Sequence, residues 1–184
     1  LAESIVSNSR GITAFSVRYG NVVGSTGSVF DVFDTSDKYN VTNPNMTRYW
    51  FRPSSAVDFV LDSFDRAYGG EIFVPQLKSS TMRDLVRAFE RKTKKDINVT
   101  GSRPGEKVHE KMVSENEIDD TVFIPFVYGD RGVFAILPKS SKRIGSMPAQ
   151  SFLSPHTEFT SENADRYTDG ELDKLLDEYY QFKK

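Results

Sequence analysis

Short β-rich runs alternate with amphipathic helical segments along most of this chain, and that alternation constrains its fold more than any other feature. Strands separated by amphipathic helices are typical of α/β proteins, so we expect an α/β fold. The predicted strands are rich in β-branched and aromatic residues and cover 12–19, 71–75, 96–100, 122–128 and 133–137. The last two are expected to form a hairpin around Gly129-Asp130.

Three helices are predicted from the spacing of apolar residues and from capping signals. The first begins at Pro53 and ends before Gly69-Gly70, and its apolar residues on one face are Ala56, Val57, Val60, Leu61 and Phe64. The second covers 81–92 and carries Met82, Leu85, Val86 and Phe89 at helical spacing. The third begins at a capping box, 168–171, and is expected to bury Leu172, Leu175, Leu176 and Tyr179. A basic, serine-rich connection at 139–155 precedes it.

Composition removes several classes of function. The absence of cysteine excludes disulfides, cysteine-ligated metals and thiol nucleophiles, and two histidines leave little for a metal site, so none is predicted. With 24 Lys and Arg against 26 Asp and Glu, the chain lacks the basic excess of a general nucleic-acid binder. No apolar run approaches the roughly 18 residues that cross a membrane, and mean hydropathy is -0.47. Since no signal peptide precedes Leu1, we expect a cytoplasmic protein that binds neither nucleic acid nor membrane.

The segment RYGNVVGSTGS, residues 18–28, follows the first predicted strand and is the first candidate binding element. Gly24 and Gly27 lie among small hydroxyl residues, so backbone N–H groups there could approach an anionic ligand. Asn21 offers a donor and an acceptor just after a strand, where α/β proteins collect ligands. The alternative is a flexible turn that uses its glycines for geometry alone.

An arginine among aromatic residues is the second candidate. Arg48 lies in NMTRYWF, which contains the single tryptophan of the chain. Held by aromatic rings, its guanidinium could present a rigid fork to a phosphate. Alternatively, its stem could cover an aromatic core while its head is solvated.

The segment RPGEKVHE, residues 103–110, is the third candidate. Pro104-Gly105 predicts a turn that enters a brief helix, near whose start Arg103 and Lys107 could converge on one anion. Glu106 could accept hydrogen bonds from sugar hydroxyls. The alternative is a surface turn with ordinary charge pairing. We interpret His109 as a packed or solvated histidine, because nothing near it in the sequence would orient it.

Four motifs occur together in an order and spacing that resemble those of one enzyme family. They are RYGNVVGSTGSVF, NPNMTRYW, GGEIFVPQLKSSTMRDL and GSRPGEKVHE. In these motifs the chain resembles the C-terminal half of the inverting UDP-N-acetylglucosamine 4,6-dehydratases and related capsule-polysaccharide enzymes, which are extended short-chain dehydrogenase/reductases. The resemblance covers about 1–121 and, more loosely, 156–176. It implies the C-terminal part of a Rossmann-type fold with a smaller α/β substrate-binding subdomain.

The resemblance also implies which residues touch ligands. The implied UDP-sugar contacts are Asn21, Thr42, Arg48, Arg103 and Glu106, with the two arginines placed for the diphosphate and uridine. The segment implied to line the nicotinamide end of NADP, or of NAD, is Val22, Val23, Gly24 and Ser25. Thr26 stands where the family usually has arginine, and the segment between Val32 and Val41 is shorter than in the family.

In the complete enzyme, the resemblance implies a redox-neutral dehydration. Oxidation at C4 of the hexose acidifies the C5 proton, water is lost across C5 and C6, and C5 is inverted. The family's glycine motif, catalytic acid and base, and Tyr-x-x-x-Lys pair are absent from this sequence, whose residues 1–4 resemble a helix just after that lysine. We therefore assign no catalytic residue and expect the chain to be inactive alone. Residues 1–120 are assigned to the NADP- and substrate-binding unit, and 121–184 to a C-terminal part for assembly.

Two other functions stay open: a UDP-sugar epimerase of the same superfamily, and a non-catalytic UDP-sugar-binding or scaffold module. By analogy with the family we expect the whole protein to be a homo-oligomer. The strand at 12–18 would be central in the family's sheet, so this chain alone is expected to have an unpaired strand edge and an uncovered apolar face. Such surfaces predict aggregation or a partner chain.

Overall fold

A computed structural model describes residues 2–7, 12–128, 131–139 and 157–183. The helices are α1 (Ala2–Ser7), α2 (Val29–Thr35), α3 (Pro53–Arg66), α4 (Met82–Glu90) and α5 (Asp169–Phe182). The first six strands are β1 (Ser16–Val17), β2 (Asn21–Val22), β3 (Tyr39–Val41), β4 (Thr47–Phe51), β5 (Ile72–Pro75) and β6 (Ser79–Thr81). The others are β7 (Ile97–Val99), β8 (Lys111–Val113), β9 (Thr121–Tyr128), β10 (Arg131–Ile136) and β11 (Phe159–Thr160), with a 3-10 helix at Glu115–Asp120. Within the described residues no helix is both long and apolar enough to span a membrane.

The chain forms two compact units, and the first comprises Leu1–Tyr19, Ser54–Gln76 and Lys111–Thr160. Its main sheet has the strand order β1-β5-β10-β9, in which β1 and β5 are parallel and the other neighbours are antiparallel. All four residues of β5 are buried, and Phe73 contacts Phe15 with ring centroids 5.9 Å apart. This sheet is therefore mixed, and its core lies around β5.

One predicted strand is shorter than expected, and it forms an edge of this sheet. The strand predicted over 12–19 is reduced to the two residues of β1, which pair only with β5 among the described strands. Helix α3 buries Ala56, Phe59 and Ser63. The other residues of its predicted apolar face are exposed: Val57, Val60, Leu61 and Phe64.

The second unit comprises Gly20–Pro53, Leu77–Glu110 and Ser161–Lys184. It has a three-stranded sheet of order β2-β4-β6, with β2 parallel and β6 antiparallel to β4, and a parallel pair of β3 and β7. Helices α2, α4 and α5 supply an aromatic core with this sheet. The Phe30 ring centroid lies 5.2 Å from that of Trp50, 5.6 Å from that of Phe89 and 5.7 Å from that of Tyr179.

The three helices predicted from apolar spacing and capping signals are confirmed, as is the hairpin of β9 and β10. Thr81 and Thr168 cap α4 and α5, because their side chains accept hydrogen bonds from backbone N–H groups three residues later. Gly129-Asp130 at the predicted turn lies outside the described residues, as does 140–156, which holds most of the serine-rich connection and His156. The elements that were not predicted are helix α2, the 3-10 helix and strands β2, β3, β4, β6, β8 and β11.

The C-terminal part of the chain is shared between the units. Residues up to Thr160 pack in the first unit, whereas Ser161–Lys184 pack in the second. There α5 contributes the four predicted residues to the core: Leu172, Leu175, Leu176 and Tyr179. The predicted division of the chain into a ligand-binding part, 1–120, and an assembly part, 121–184, stays a prediction. The two compact units are divided at other positions of the chain.

Arg18, directly after β1, pairs with two carboxylates inside the first unit. Its Nη2 atom lies 2.7 Å from Oε2 of Glu3 and 2.7 Å from Oε1 of Glu117. Its Nη1 atom donates to the carbonyl of Met112 at 2.8 Å. Partial burial raises the pKa of Glu117, but hydrogen bonds from Arg18 and Ser114 outweigh it and hold that pKa at about 2. The cluster therefore ties α1, β1 and the 3-10 helix together through a carboxylate that resists protonation.

Glu117→Gln is expected to remove an acid-dependent part of the stability. Because the pKa of Glu117 in the fold lies below its usual 4.5, the carboxylate stabilises the fold above that pH. This contribution is lost as the pH falls from 4.5 toward 2. Melting temperatures measured from pH 7 to acid should fall more steeply for the wild type than for Glu117→Gln. Glu115→Gln is the control and should follow the wild type; equal slopes in all three proteins would contradict the prediction.

Candidate functional site

A cleft with a volume of about 500 Å³ opens within the second unit. Clefts of this size accommodate small-molecule ligands. The five predicted UDP-sugar contacts all line it: Asn21, Thr42, Arg48, Arg103 and Glu106. Buried apolar side chains also line it, among them Met46 and Trp50. The five polar residues are spread over 86 positions of the sequence, from 21 to 106, and the fold brings them together in one cleft that also has an apolar lining.

Strand pairing and one turn place these residues. Asn21 lies in β2 opposite Trp50 of β4, and Arg48 lies in the same β4. Thr42 directly follows β3. Arg103 and Glu106 flank Pro104-Gly105, and the Glu106 N–H donates to the Arg103 carbonyl at 3.0 Å. Gly105 has φ of +80°, which a type II turn with proline at its second position requires.

The brief helix predicted after this turn was wrong. The backbone N–H of Thr47 donates to the carbonyl of Val108 at 3.0 Å, and Thr47 forms a parallel bridge with His109. The chain therefore runs extended beside β4 instead of coiling. Lys107 does not line the cleft, so the predicted convergence of Lys107 with Arg103 is not formed.

Arg48 is already held by its own unit. Its Nη1 atom donates to the carbonyls of Thr47 at 2.8 Å and Val108 at 3.1 Å. Its Nη2 atom lies 3.7 Å from Oε1 of Glu106, and its Nε atom lies 3.9 Å from Oε1 of Glu110. Most of this guanidinium therefore faces protein acceptors, which leaves few donors for a bidentate phosphate contact.

Arg103 has the opposite character. Its side chain is exposed, lines the cleft, and makes no hydrogen bond or ion pair with any other described side chain. A guanidinium in this state retains its full fork of donors for a phosphate. Of the two arginines, Arg103 is therefore the one whose charge is available to a ligand.

The carboxylate of Glu106 is fixed as an acceptor in the cleft. Its Oε2 atom accepts from the backbone N–H of Arg103 at 3.1 Å, and its Oε1 atom accepts from the Thr42 hydroxyl at 2.9 Å. The hydrogen bond from the Arg103 backbone lowers the pKa of Glu106, burial opposes this, and Thr42 and Arg48 lower the pKa further, so that the pKa lies below its usual value. Glu106 is thus ionised at neutral pH and suited to accept hydrogen bonds from hydroxyl groups.

The predicted cofactor segment runs along β2 and the loop after it. Val22 ends β2, and Val23 is buried in the core, so its side chain is not available to a ligand. Gly24 has φ of +77°, and a Cβ there would lie 3.3 Å from the ring of Tyr179. Ser25 lines the cleft. The segment offers backbone edges and small side chains, which fits one end of a flat cofactor ring; its role stays a prediction.

A hydroxyl network that the sequence did not reveal surrounds His109. The Thr47 hydroxyl lies 2.8 Å from Nδ1 of His109 and 2.6 Å from the hydroxyl of Ser161. Thr47 therefore orients His109 from a distant part of the chain, although nothing near His109 in the sequence does so. Thr47 lies 62 residues from His109 and 114 residues from Ser161 in the sequence, so no local pattern could have found this network. Among the described residues, no cluster of His, Asp and Glu is arranged to hold a metal ion.

Comparisons with known proteins show the family to which the chain belongs. A family model described as "Polysaccharide biosynthesis protein" matches residues 2–129. The inverting UDP-N-acetylglucosamine 4,6-dehydratase of Campylobacter jejuni is 40% identical over 122 residues, which are 63% of this chain and 35% of the relative. A UDP-glucose 4-epimerase of Rickettsia massiliae is 31% identical over 171 residues, which are 86% of this chain and 48% of the relative.

The structural comparison addresses the fold alone. The X-ray structure of Pen from Bacillus thuringiensis matches with a TM-score of 0.78 and 22% identity, covering 97% of this chain and 55% of that chain. The predicted α/β fold, the C-terminal part of a Rossmann-type fold, is confirmed. The chain spans about a third to a half of the length of these two curated relatives.

Proposed function

Because this chain belongs to the polysaccharide biosynthesis protein family, we propose that it forms the UDP-sugar-binding part of an inverting UDP-N-acetylglucosamine 4,6-dehydratase. The observation that carries the proposal is the cleft of the second unit, where five residues assigned to UDP-sugar binding meet. The product of the whole enzyme would be a UDP-4-keto-6-deoxy-N-acetylhexosamine for surface polysaccharide or glycoprotein glycans. The chain itself carries no catalytic residue in this proposal and is inactive alone.

Four polar residues of the cleft have distinct tasks in this proposal. Arg103 binds the diphosphate, because its donors are not used within the protein. Glu106 accepts hydrogen bonds from sugar hydroxyls, and Thr42 holds its carboxylate in place. Arg48 is a positioning residue, because it lies between the carboxylates of Glu106 and Glu110. The chain thus supplies binding and orientation of the nucleotide sugar.

A nicotinamide cofactor belongs to the same proposal. NADP, or NAD, would supply the hydride chemistry when bound. Residues 22–25 would border its nicotinamide end, where Ser25 lines the cleft and Gly24 carries no side chain. The sequence contains no glycine-rich dinucleotide motif, so the residues of this chain can form only part of such a site.

Arg103→Ala is expected to weaken UDP binding by about 10- to 100-fold. Charge-assisted hydrogen bonds contribute about 1.5–3 kcal/mol, and removing this guanidinium leaves the diphosphate without its main partner. Isothermal titration calorimetry of the chain with UDP measures the loss. Lys107→Ala is the matched control, because this neighbouring cation lies outside the cleft. The affinity of this variant for UDP should stay within about twofold of the wild-type affinity. Equal losses in the two variants, or no binding by the wild type, would contradict the proposed site.

A UDP-sugar epimerase is the second candidate. The Rickettsia massiliae epimerase, whose match extends over 86% of this chain, favours it. Turnover of UDP-N-acetylglucosamine by the whole protein, followed by NMR of the product, separates the candidates. A 4-keto-6-deoxy sugar supports the dehydratase, and a C4 or C2 epimer supports the epimerase. A whole protein that binds the nucleotide sugar without converting it would instead be a non-catalytic binding module.

A further inference from the structure

The side-chain amide of Asn21 has one orientation at the cleft. Its Nδ2 atom donates to the carbonyl of Tyr49 at 3.1 Å and to Oε1 of Glu110 at 3.1 Å. A carbonyl and a carboxylate only accept hydrogen bonds, so the NH₂ group must face them. Both amide protons are therefore used within the protein. What Asn21 offers to a ligand in the cleft is its Oδ1 atom, a hydrogen-bond acceptor.

Glu110, which fixes this orientation, is itself held on both sides. Its Oε2 atom accepts from the backbone N–H of Tyr49 at 3.0 Å, and its carboxylate lies 3.9 Å from Nε of Arg48. Its own N–H donates to the hydroxyl of Ser161 at 2.8 Å, and its carbonyl accepts from the Ser161 N–H at 2.8 Å. Ser161 is fully buried. The carboxylate of Glu110 thus has a fixed place from which to hold Asn21.

We propose that Glu110 is a positioning residue that sets Asn21 as an acceptor, so that Asn21 meets a hydroxyl or N–H group of the ligand and not a phosphate oxygen. The inference rests on the proposed binding of a nucleotide sugar. An ionised diphosphate has only acceptor oxygens, which the Oδ1 atom of Asn21 would repel. Ribose hydroxyls, hexose hydroxyls and an acetamido N–H are the groups of such a ligand that fit.

The chemistry of residue 110 explains why a carboxylate is needed there. The two oxygens of Glu110 accept from two different donors, the amide of Asn21 and the N–H of Tyr49. A glutamine has one acceptor oxygen, and its NH₂ group would face one of these donors. Glu110→Gln therefore breaks one of two contacts with little change in side-chain size: either the one with the Asn21 amide itself, or the one with the Tyr49 N–H that holds residue 110 in place for Asn21.

A double-mutant cycle tests the inference by calorimetry with UDP-N-acetylglucosamine. Glu110→Gln and Asn21→Ala are each expected to weaken binding about tenfold, as for a lost hydrogen bond of about 1.4 kcal/mol. The double variant should bind no more weakly than Asn21→Ala, because Glu110 acts through Asn21. Losses that add to about a hundredfold would overturn the inference, since they would show that Glu110 acts independently of Asn21.

A ligand-free measurement separates this inference from the proposed function. Side-chain amide signals of Asn21 in ¹⁵N NMR spectra should exchange with solvent slowly in the wild type and faster in Glu110→Gln. Equal exchange in the two proteins would overturn the inference even if the nucleotide sugar binds. If the wild type binds neither UDP nor UDP-N-acetylglucosamine, the proposed function fails, and the exchange comparison alone then decides whether Glu110 fixes the amide.

Discussion

Replacing Gly20 with alanine should destabilise the second unit by about 3 kcal/mol and weaken binding of UDP-N-acetylglucosamine. A Cβ at Gly20 would lie 2.4 Å from the Cβ of Tyr49 and 3.1 Å from its carbonyl oxygen. Tyr49 is fully buried in β4, so it cannot move aside cheaply. The new methyl group must instead push β2 away from β4.

The same displacement reaches the ligand site. The Tyr49 carbonyl that the new methyl would crowd is the one that accepts from the Asn21 amide. Asn21 directly follows Gly20, so separating β2 from β4 moves its side chain from both of its acceptors. Stability and affinity should therefore fall together in Gly20→Ala, although Gly20 does not line the cleft.

Thermal denaturation and calorimetry measure the two effects. A loss of about 3 kcal/mol lowers the melting temperature by about 6–12 °C in a chain of this size. Gly170→Ala is the matched control, because a Cβ there meets nothing within 4 Å and alanine favours the helix. It should leave both quantities unchanged or raise the melting temperature slightly. If Gly20→Ala melts and binds like Gly170→Ala, then β2 and β4 do not need the close approach of Gly20 to Tyr49, and the prediction is contradicted.

Elements with strong local signals were predictable from the sequence, and elements defined by distant partners were not. The capping box at Thr168 and the apolar spacing that follows it lie within a few residues, so α5 and its buried face are as expected. Strand β4 was interpreted only as an aromatic cluster around Arg48, because its five residues lack the alternation of a half-buried strand. Its pairing with β2 and β6 comes from residues far away in the chain.

The same distinction between local signals and distant partners applies to the candidate site. The resemblance to a known family pointed to Arg103 and Glu106, and the turn between them is local. The family motif RPGEKVHE also contains Glu110, but its contacts with Asn21 and Tyr49 span 89 and 61 residues. Which donors of Arg48 remain available likewise depends on the Val108 carbonyl and on the carboxylates of Glu106 and Glu110, which only the fold brings near it. Residue types could be predicted, and their hydrogen-bond partners could not.

The exposed face of α3 shows a further limit of prediction from sequence. Substitutions on this face are expected to have the second large effect, which is on self-association. Periodicity identifies residues that share a helix face, but it does not say what covers that face. Val57, Leu61 and Phe64 are 59%, 60% and 70% exposed, and they lie in the same unit as the edge strand β1. Large apolar side chains exposed on one helix favour association with another chain. We therefore expect the wild-type chain to self-associate, and the variant Val57→Glu with Leu61→Lys to be largely monomeric.

Size-exclusion chromatography with light scattering, at equal protein concentrations, measures this difference. The two substitutions leave the net charge unchanged and place Glu four residues before Lys, so helix α3 keeps its stability and only apolar surface is removed. Val57→Ile with Leu61→Met is the matched control, because it changes the same positions and retains the apolar face, and it should self-associate like the wild type. A monomeric wild type would contradict the prediction, since the face would then be tolerated in water without a partner. Self-association lost in the charged variant and kept in the apolar one would identify this face of α3 as the surface that another chain covers.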